Sequence, residues 1–136
     1  AGMAVAPGFI NMLSWATESL IEDGRALSDL RQGVTLEVFG EGWSMGPLND
    51  AMKAEVTARQ GDIRFEVEWD TLGGYLEYLE TRGISPNVAS FVGATTVRMH
   101  ELGEADLAIA ILVESAQQLL LALPRPVDAS LLQHRV

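Results

Sequence analysis

The stretch VTLEVFGEGWSMGPLN, Val34–Asn49, decides the fold. Its first six residues are apolar apart from Thr35 and Glu37 and rich in β-branched side chains, the composition of a mostly buried strand. A glycine-rich loop, Gly40–Pro47, breaks that run, and Pro47 suits the first turn of a helix. The helix is expected over about Leu48 to Arg59, because Leu48, Met52 and Val56 fall four apart on one face. A strand that hands directly to a helix is half of a βαβ unit, so the neighbouring segments decide whether the unit repeats.

It does repeat. Upstream, Phe9–Ser14 reads as a short buried strand, and a helical segment follows from about Glu18. Gly24 interrupts that segment, and the turn region ALSDLRQ ends at Gly33, a suitable residue just past a helical turn. Downstream, Gly61 and Asp62 break the chain, and RFEVEW (Arg64–Trp69) alternates strictly. Phe65, Val67 and Trp69 share one side, with Arg64, Glu66 and Glu68 on the other, the pattern of a half-exposed strand. Asp70 or Thr71 can cap the next helix, whose stripe is Leu72, Tyr75, Leu76 and Leu79 and whose end is Gly83. Pro86 keeps Ser85 extended, and Asn87–Gly93 reads as another buried strand. A polar turn holding His100 leads to a last helix, about Glu104 to Leu123, that stops before Pro124. Strands alternating with helices imply a mainly parallel sheet, covered on both faces. Three or four such βα units make a small open sheet or part of a barrel; a closed eight-stranded barrel takes about 250 residues.

Composition narrows the function classes. The chain has 136 residues, enough for one domain, and its 48% apolar content supplies a core. Its net charge of −10 and scattered basic residues oppose binding to nucleic acid or to an anionic membrane surface. There is no cysteine, which excludes disulfides, thiolate zinc sites and cysteine nucleophiles. With two histidines, His100 and His134, a multi-histidine metal site within the chain is excluded as well. The apolar run 107–123 contains Glu114, Gln117 and Gln118 and is shorter than the ~20 residues of a membrane span, so it reads as a buried or interface helix. AGMAVAPGF lacks the basic start and long apolar stretch of a secretory signal, so a cytoplasmic location is expected. The missing initiator Met suggests processing or truncation.

Three blocks carry a family likeness: APGFINML, DGRALSDLRQGVTLEVFGEGWSMGPLN and WDTLGGYLEYLETRGISPNVASFVGATTVR. Together they resemble the N-acyl-D-amino-acid deacylases (D-aminoacylases) of the amidohydrolase superfamily, over about Val5 to Asp106. The resemblance implies the first three or four units of a metal-dependent (β/α)₈ barrel, in residues 1–106, followed by a helical tail of unclear origin, 107–136. It also implies hydrolysis of the amide of an N-acyl-D-amino acid by a zinc-bound water, with a carboxylate moving the proton.

The chain departs from the family at the metal. Where the family runs Asp-x-His-x-His, this sequence holds Asn11, Met12, Leu13, Ser14 and Trp15. Neither Leu13 nor Trp15 offers zinc a lone pair. A family Gly-Asn-Cys-Gly is replaced by Gly40-Glu41-Gly42-Trp43 in a loop one residue shorter, where Glu41 is the candidate metal ligand. A family Gly-His-Gly-x-x-Arg becomes Gly93-Ala94-Thr95-Thr96-Val97-Arg98, which keeps the arginine. Ser14, Trp15 and Arg98 are therefore the expected substrate-pocket residues, and no catalytic residue is assigned. The expectation is a hydrolase of N-acylated amino acids whose 136-residue stretch is inactive alone. The alternative is a non-catalytic binding or assembly module that has lost its metal ligands, and self-association is a third possibility.

Other signals read as structure. GEGWSMG lacks the Lys-Ser/Thr and the spacing of a phosphate loop. Ser14 lacks the flanking glycines of a nucleophile elbow. The aromatic residues Trp43, Trp69, Tyr75 and Tyr78 read as core, and Glu66 with Glu68 as a solvated strand face.

Overall fold

A computed structural model describes residue 2 and residues 4–103. The order is β1 (Phe9–Asn11), α1 (Ser19–Glu22), α2 (Leu27–Arg31), β2 (Val34–Phe39), α3 (Asp50–Arg59), α4 (Leu72–Arg82), β3 (Asn87–Ser90) and α5 (Ala94–Leu102). The chain is an α/β protein with one three-stranded parallel sheet, in the order β1-β2-β3. The expected final helix and the proposed tail, 107–136, lie outside the described residues.

β2 is the central strand, as its composition requires. Ile10 pairs with Leu36 and Leu36 with Asn87, while Asn11 pairs with Glu37 and Glu37 with Val88. Partners in a parallel ladder share a face, so the sheet has two rows of different character. The row containing Glu37, Val88 and Phe39 faces the helices. Phe39 and Val88 join Leu20, Ile21, Met45, Leu48, Met52, Trp69, Tyr75, Leu79 and Met99 in one core cluster. On the other row Val38 is buried and Leu36 half-buried, while Ile10 and Ala89, on the outer strands, are exposed.

The helices follow local chemistry. The Asn49 side chain accepts from the Met52 amide at 3.0 Å, starting α3 two residues later than the Leu48 spacing suggested. Leu48 and Met52 are buried and Val56 is half-buried, so the expected stripe faces inward. Thr71, rather than Asp70, caps α4, its hydroxyl accepting from the Gly74 amide at 3.0 Å. Tyr75 and Leu79 are fully buried on that helix, with Leu72 and Leu76 packed beside them. Asp70 instead pairs with Lys53, tying the start of α4 to α3.

Three expectations fail. RFEVEW is not a strand: Arg64–Trp69 turns Phe65, Val67 and Trp69 inward but joins no ladder among the described residues. The Gln60 side chain stands in for a partner strand. Its amide donates to the Phe65 carbonyl at 2.8 Å, and its oxygen accepts from the Phe65 amide at 3.3 Å. The polar turn expected around His100 is the helix α5, whereas Gly33 does follow a helical turn, α2 ending at Arg31 with Gln32 as its cap. The outer strands are also shorter than read: β1 stops at Asn11, where the chain turns, and β3 stops at Ser90.

The ends of β2 and β3 are drawn tightly together. Gly40 has φ +88°, and a Cβ there would lie 2.1 Å from the Phe91 carbonyl oxygen, so only glycine fits. The Phe91 amide donates to the Phe39 carbonyl at 2.9 Å, continuing the pairing past the ladder. No helix among the described residues is long and apolar enough to cross a membrane.

Candidate functional site at the carboxyl ends of the strands

In a parallel sheet with βα connections, ligand sites gather where the strands end and the loops begin. Here the β1 and β2 ends are bridged directly, because the Ser14 amide donates to the Val38 carbonyl at 3.0 Å. That bond brings the loop after β1 against the loop after β2. Leu13, Ser14, Trp15, Thr17, Glu41, Trp43 and Met45 line a small cavity of about 30 Å³ at this place. Three of the four site residues expected from the sequence therefore converge: Ser14, Trp15 and Glu41.

Their environments differ. Ser14 is buried, and its hydroxyl accepts from the Ala16 amide at 3.2 Å, so it fixes a local turn. Trp15 is 74% exposed and presents its ring at the rim. Glu41 is exposed between Gly40 and Gly42, both with positive φ, a backbone that turns the chain sharply after β2. Trp43 and Met45 form the inner wall and also line a neighbouring cavity of about 200 Å³ with Glu18, Glu55, Val56 and Arg59. Arg98 stands apart: it is exposed on α5 and does not line the Ser14–Glu41 cavity.

Two buried aromatic residues hold this wall from behind. The Tyr75 hydroxyl donates to the Thr17 carbonyl at 2.8 Å, and the Trp69 indole donates to the Met45 carbonyl at 2.7 Å. Burial pushes the Tyr75 hydroxyl well above its ordinary pKa, and the Glu18 carboxylate adds to the shift. Phe65 stacks near Trp69 with ring centroids 6.2 Å apart, and Tyr75 and Tyr78 tilt against Trp69 at 5.1 and 4.9 Å. Of the four aromatic residues read as core, Trp69 and Tyr75 are buried in it, while Trp43 and Tyr78 are half-buried against it and Trp43 lines the cavity; Trp69 and Tyr75 have polar tips aimed at the site's backbone. Helical spacing marks the buried face; it does not carry that second property.

A zinc centre does not fit these residues. Leu13 and Trp15 have no donor atom for a metal, and Glu41 is the one carboxylate in the cavity lining. Among the described residues, no group of three or more His, Cys, Asp or Glu side chains is placed to hold a metal ion. His100 lies on α5, where its Nδ1 sits 2.9 Å from a Glu101 carboxylate oxygen, away from the cavity lining. The arrangement can offer an apolar and aromatic wall, one carboxylate at its edge, and a hydroxyl already engaged in a turn. Comparison with protein-family models, with curated proteins and with solved structures finds no match for this chain.

Proposed function

We propose that the chain is an amidohydrolase-type module of the N-acyl-D-amino-acid deacylase kind, forming part of a βα barrel wall and of its substrate pocket. The observation that carries this reading is the convergence of Ser14, Trp15 and Glu41 at the carboxyl ends of adjacent parallel strands. The sequential order β1-β2-β3 in a parallel sheet is what the first units of a barrel wall require. Leu13, Trp15, Trp43 and Met45 would form one wall beside the acyl chain; the cavity of about 30 Å³ that they line here has room for about one water, so further strand ends would supply the rest of the pocket. The exposed Glu41 carboxylate at the pocket edge would orient the amide by accepting its N–H. No step is assigned to zinc, because the residues present cannot cradle it.

The second reading, a non-catalytic binding module, is favoured by Leu13 and Trp15, which make the site apolar where a metal-dependent hydrolase needs donors. Both readings require the pocket to take an N-acylated amino acid. Quenching of tryptophan fluorescence by N-acetyl-D-leucine and its L enantiomer tests the shared part. Saturable quenching that favours the D form and is lost in Trp15→Ala supports it; no quenching by either form refutes it. Release of free leucine by the parent protein then selects the hydrolase, and binding without turnover selects the binding module.

A further inference from the structure

Segment 63–70 has the form of a strand and no strand beside it. Ile63, Phe65, Val67 and Trp69 are half-buried or buried, and Arg64, Glu66, Glu68 and Asp70 between them are exposed. That two-residue period of burial is the period of an extended chain. In such a chain one residue turns its N–H and C=O to one side, and the next turns both to the other. Gln60 occupies the first side, bonding both backbone groups of Phe65 at 2.8 and 3.3 Å. The second side belongs to Arg64, Glu66 and Glu68, and none of their backbone groups bonds to another described residue. Three donors and three acceptors therefore follow one another along a single edge.

The same three residues line a cavity of about 290 Å³, together with Ile21 and Glu22 of α1 and Tyr78 and Arg82 of α4. It shares no residue with the Ser14–Glu41 cavity. Its walls are held in place. Phe65 and Trp69 pack into the core with stacked rings, and the Arg82 guanidinium donates to the Tyr78 hydroxyl at 2.9 Å. An edge that is already ordered loses little freedom when a partner strand arrives. The Glu66 and Glu68 carboxylates, two residues apart, have no hydrogen-bond or ion-pair partner among the described residues. A strand laid along this edge meets them with two alternate side chains of its own, and directly opposed charges attract only when their signs differ.

We propose that Arg64, Glu66 and Glu68 form a strand-addition edge for an extended basic peptide of another protein. The peptide pairs antiparallel, the more stable arrangement, with the pattern basic-x-basic-x-acidic opposite Glu68, Glu66 and Arg64. Its intervening residues fall on the inward face beside Phe65 and Val67, where apolar side chains fit. This chain cannot supply that partner, from itself or from a second copy, because no two of its nine basic residues are separated by a single residue. The net charge of −10 also attracts a basic peptide and repels a second copy. The inference rests on the edge and its charges and stands apart from the deacylase reading.

Fluorescence anisotropy of a labelled peptide, Thr-Lys-Val-Lys-Val-Glu-Thr, titrated with the 136-residue chain is the test. Saturable binding with a Kd between about 10 μM and 1 mM is expected. Amide exchange at Glu66 and Glu68 should slow about tenfold or more on binding, with β2 amides unaffected. Two further peptides separate strand addition from attraction between charges. Methylation of both lysine backbone nitrogens removes two edge donors and keeps every charge, and should weaken binding about tenfold or more. The charge-exchanged peptide Thr-Glu-Val-Glu-Val-Lys-Thr should bind the wild-type chain at least about tenfold more weakly. It should become the preferred ligand of the variant carrying Arg64→Glu, Glu66→Lys and Glu68→Lys, all at exposed positions. Absence of binding up to about 1 mM overturns the proposal, as does slow exchange at Glu66 and Glu68 before any peptide is added. Equal binding of the methylated peptide, or a preference unchanged by the triple variant, also overturns it.

Discussion

The hydroxyl of Tyr75, fully buried on α4, donates to the backbone carbonyl of Thr17 at 2.8 Å. Thr17 lines the candidate site, so one helix side chain anchors the loop that follows β1. Tyr75→Phe keeps the ring and removes that anchor, and should cost about 1 kcal/mol in urea unfolding. The pH dependence has a definite sign. The folded-state pKa lies above the ordinary value of 10.0, so the unfolded chain releases this proton first as pH rises. Stability from the buried neutral hydroxyl is complete below pH 10.0 and declines above it, at up to about 1.4 kcal/mol per unit. The wild-type protein should therefore lose stability above pH 10 more steeply than Tyr75→Phe; parallel curves would refute the assignment.

Glu37 presents the opposite situation on the central strand. It is 1% exposed, and neither carboxylate oxygen has a hydrogen-bond partner among the described residues. Its ladder neighbours in the same row are Asn11 and Val88, and Phe39 follows on the same face toward the apolar cluster. A buried polar group without partners costs about 1–3 kcal/mol, and an apolar residue of similar size removes that cost. Glu37→Met should raise the urea midpoint by an amount equivalent to about 1–3 kcal/mol with the slope unchanged. A fall in the midpoint would mean that the carboxylate has a stabilising partner.

Segment 64–69 shows what the sequence can and cannot reveal. Alternation reports which side chains turn inward, and it did so correctly for Phe65, Val67 and Trp69. It does not report whether another strand lies alongside, because pairing depends on distant backbone. Gln60 supplies the missing hydrogen bonds here, and nothing in its type or spacing announces that role. Gln60→Ala should raise amide exchange at Phe65 about tenfold, the equivalent of ~1.4 kcal/mol of local opening, and leave β2 amides unaffected. Unchanged exchange at Phe65 would show that some other group holds the segment.

The site was legible to the extent that strand ends are legible. Ser14, Trp15 and Glu41 follow directly on apolar β-forming runs, so their convergence required only that β1 and β2 be neighbours. Thr17, Trp43 and Met45 came into the lining through loop geometry that composition does not encode. Arg98 was linked to the pocket by motif position, but residues 94–102 form a helix whose capping residue, Gly93, has no side chain to signal it. The reason for that glycine is spatial: a Cβ there would lie 2.5 Å from the Gly42 carbonyl oxygen.

That close approach is secured by a buried clasp between the loops after β2 and β3. The Ser44 hydroxyl accepts from the Gly93 amide at 2.9 Å and donates to the Gly46 carbonyl at 2.6 Å. The Ser44 amide donates to the Thr96 hydroxyl oxygen at 2.8 Å, and that hydroxyl returns a bond to the Ser44 carbonyl at 3.3 Å. Both side chains are nearly inaccessible, so their groups have no water to fall back on. Ser44→Ala should destabilise by about 1–3 kcal/mol and Thr96→Val by a similar amount, since each strands buried backbone groups. The two should not add: loss of either side chain already loosens the loop that the other holds. A double-mutant cycle is expected to give a coupling of at least about 0.5 kcal/mol, and strict additivity would mean that the two loops are held independently.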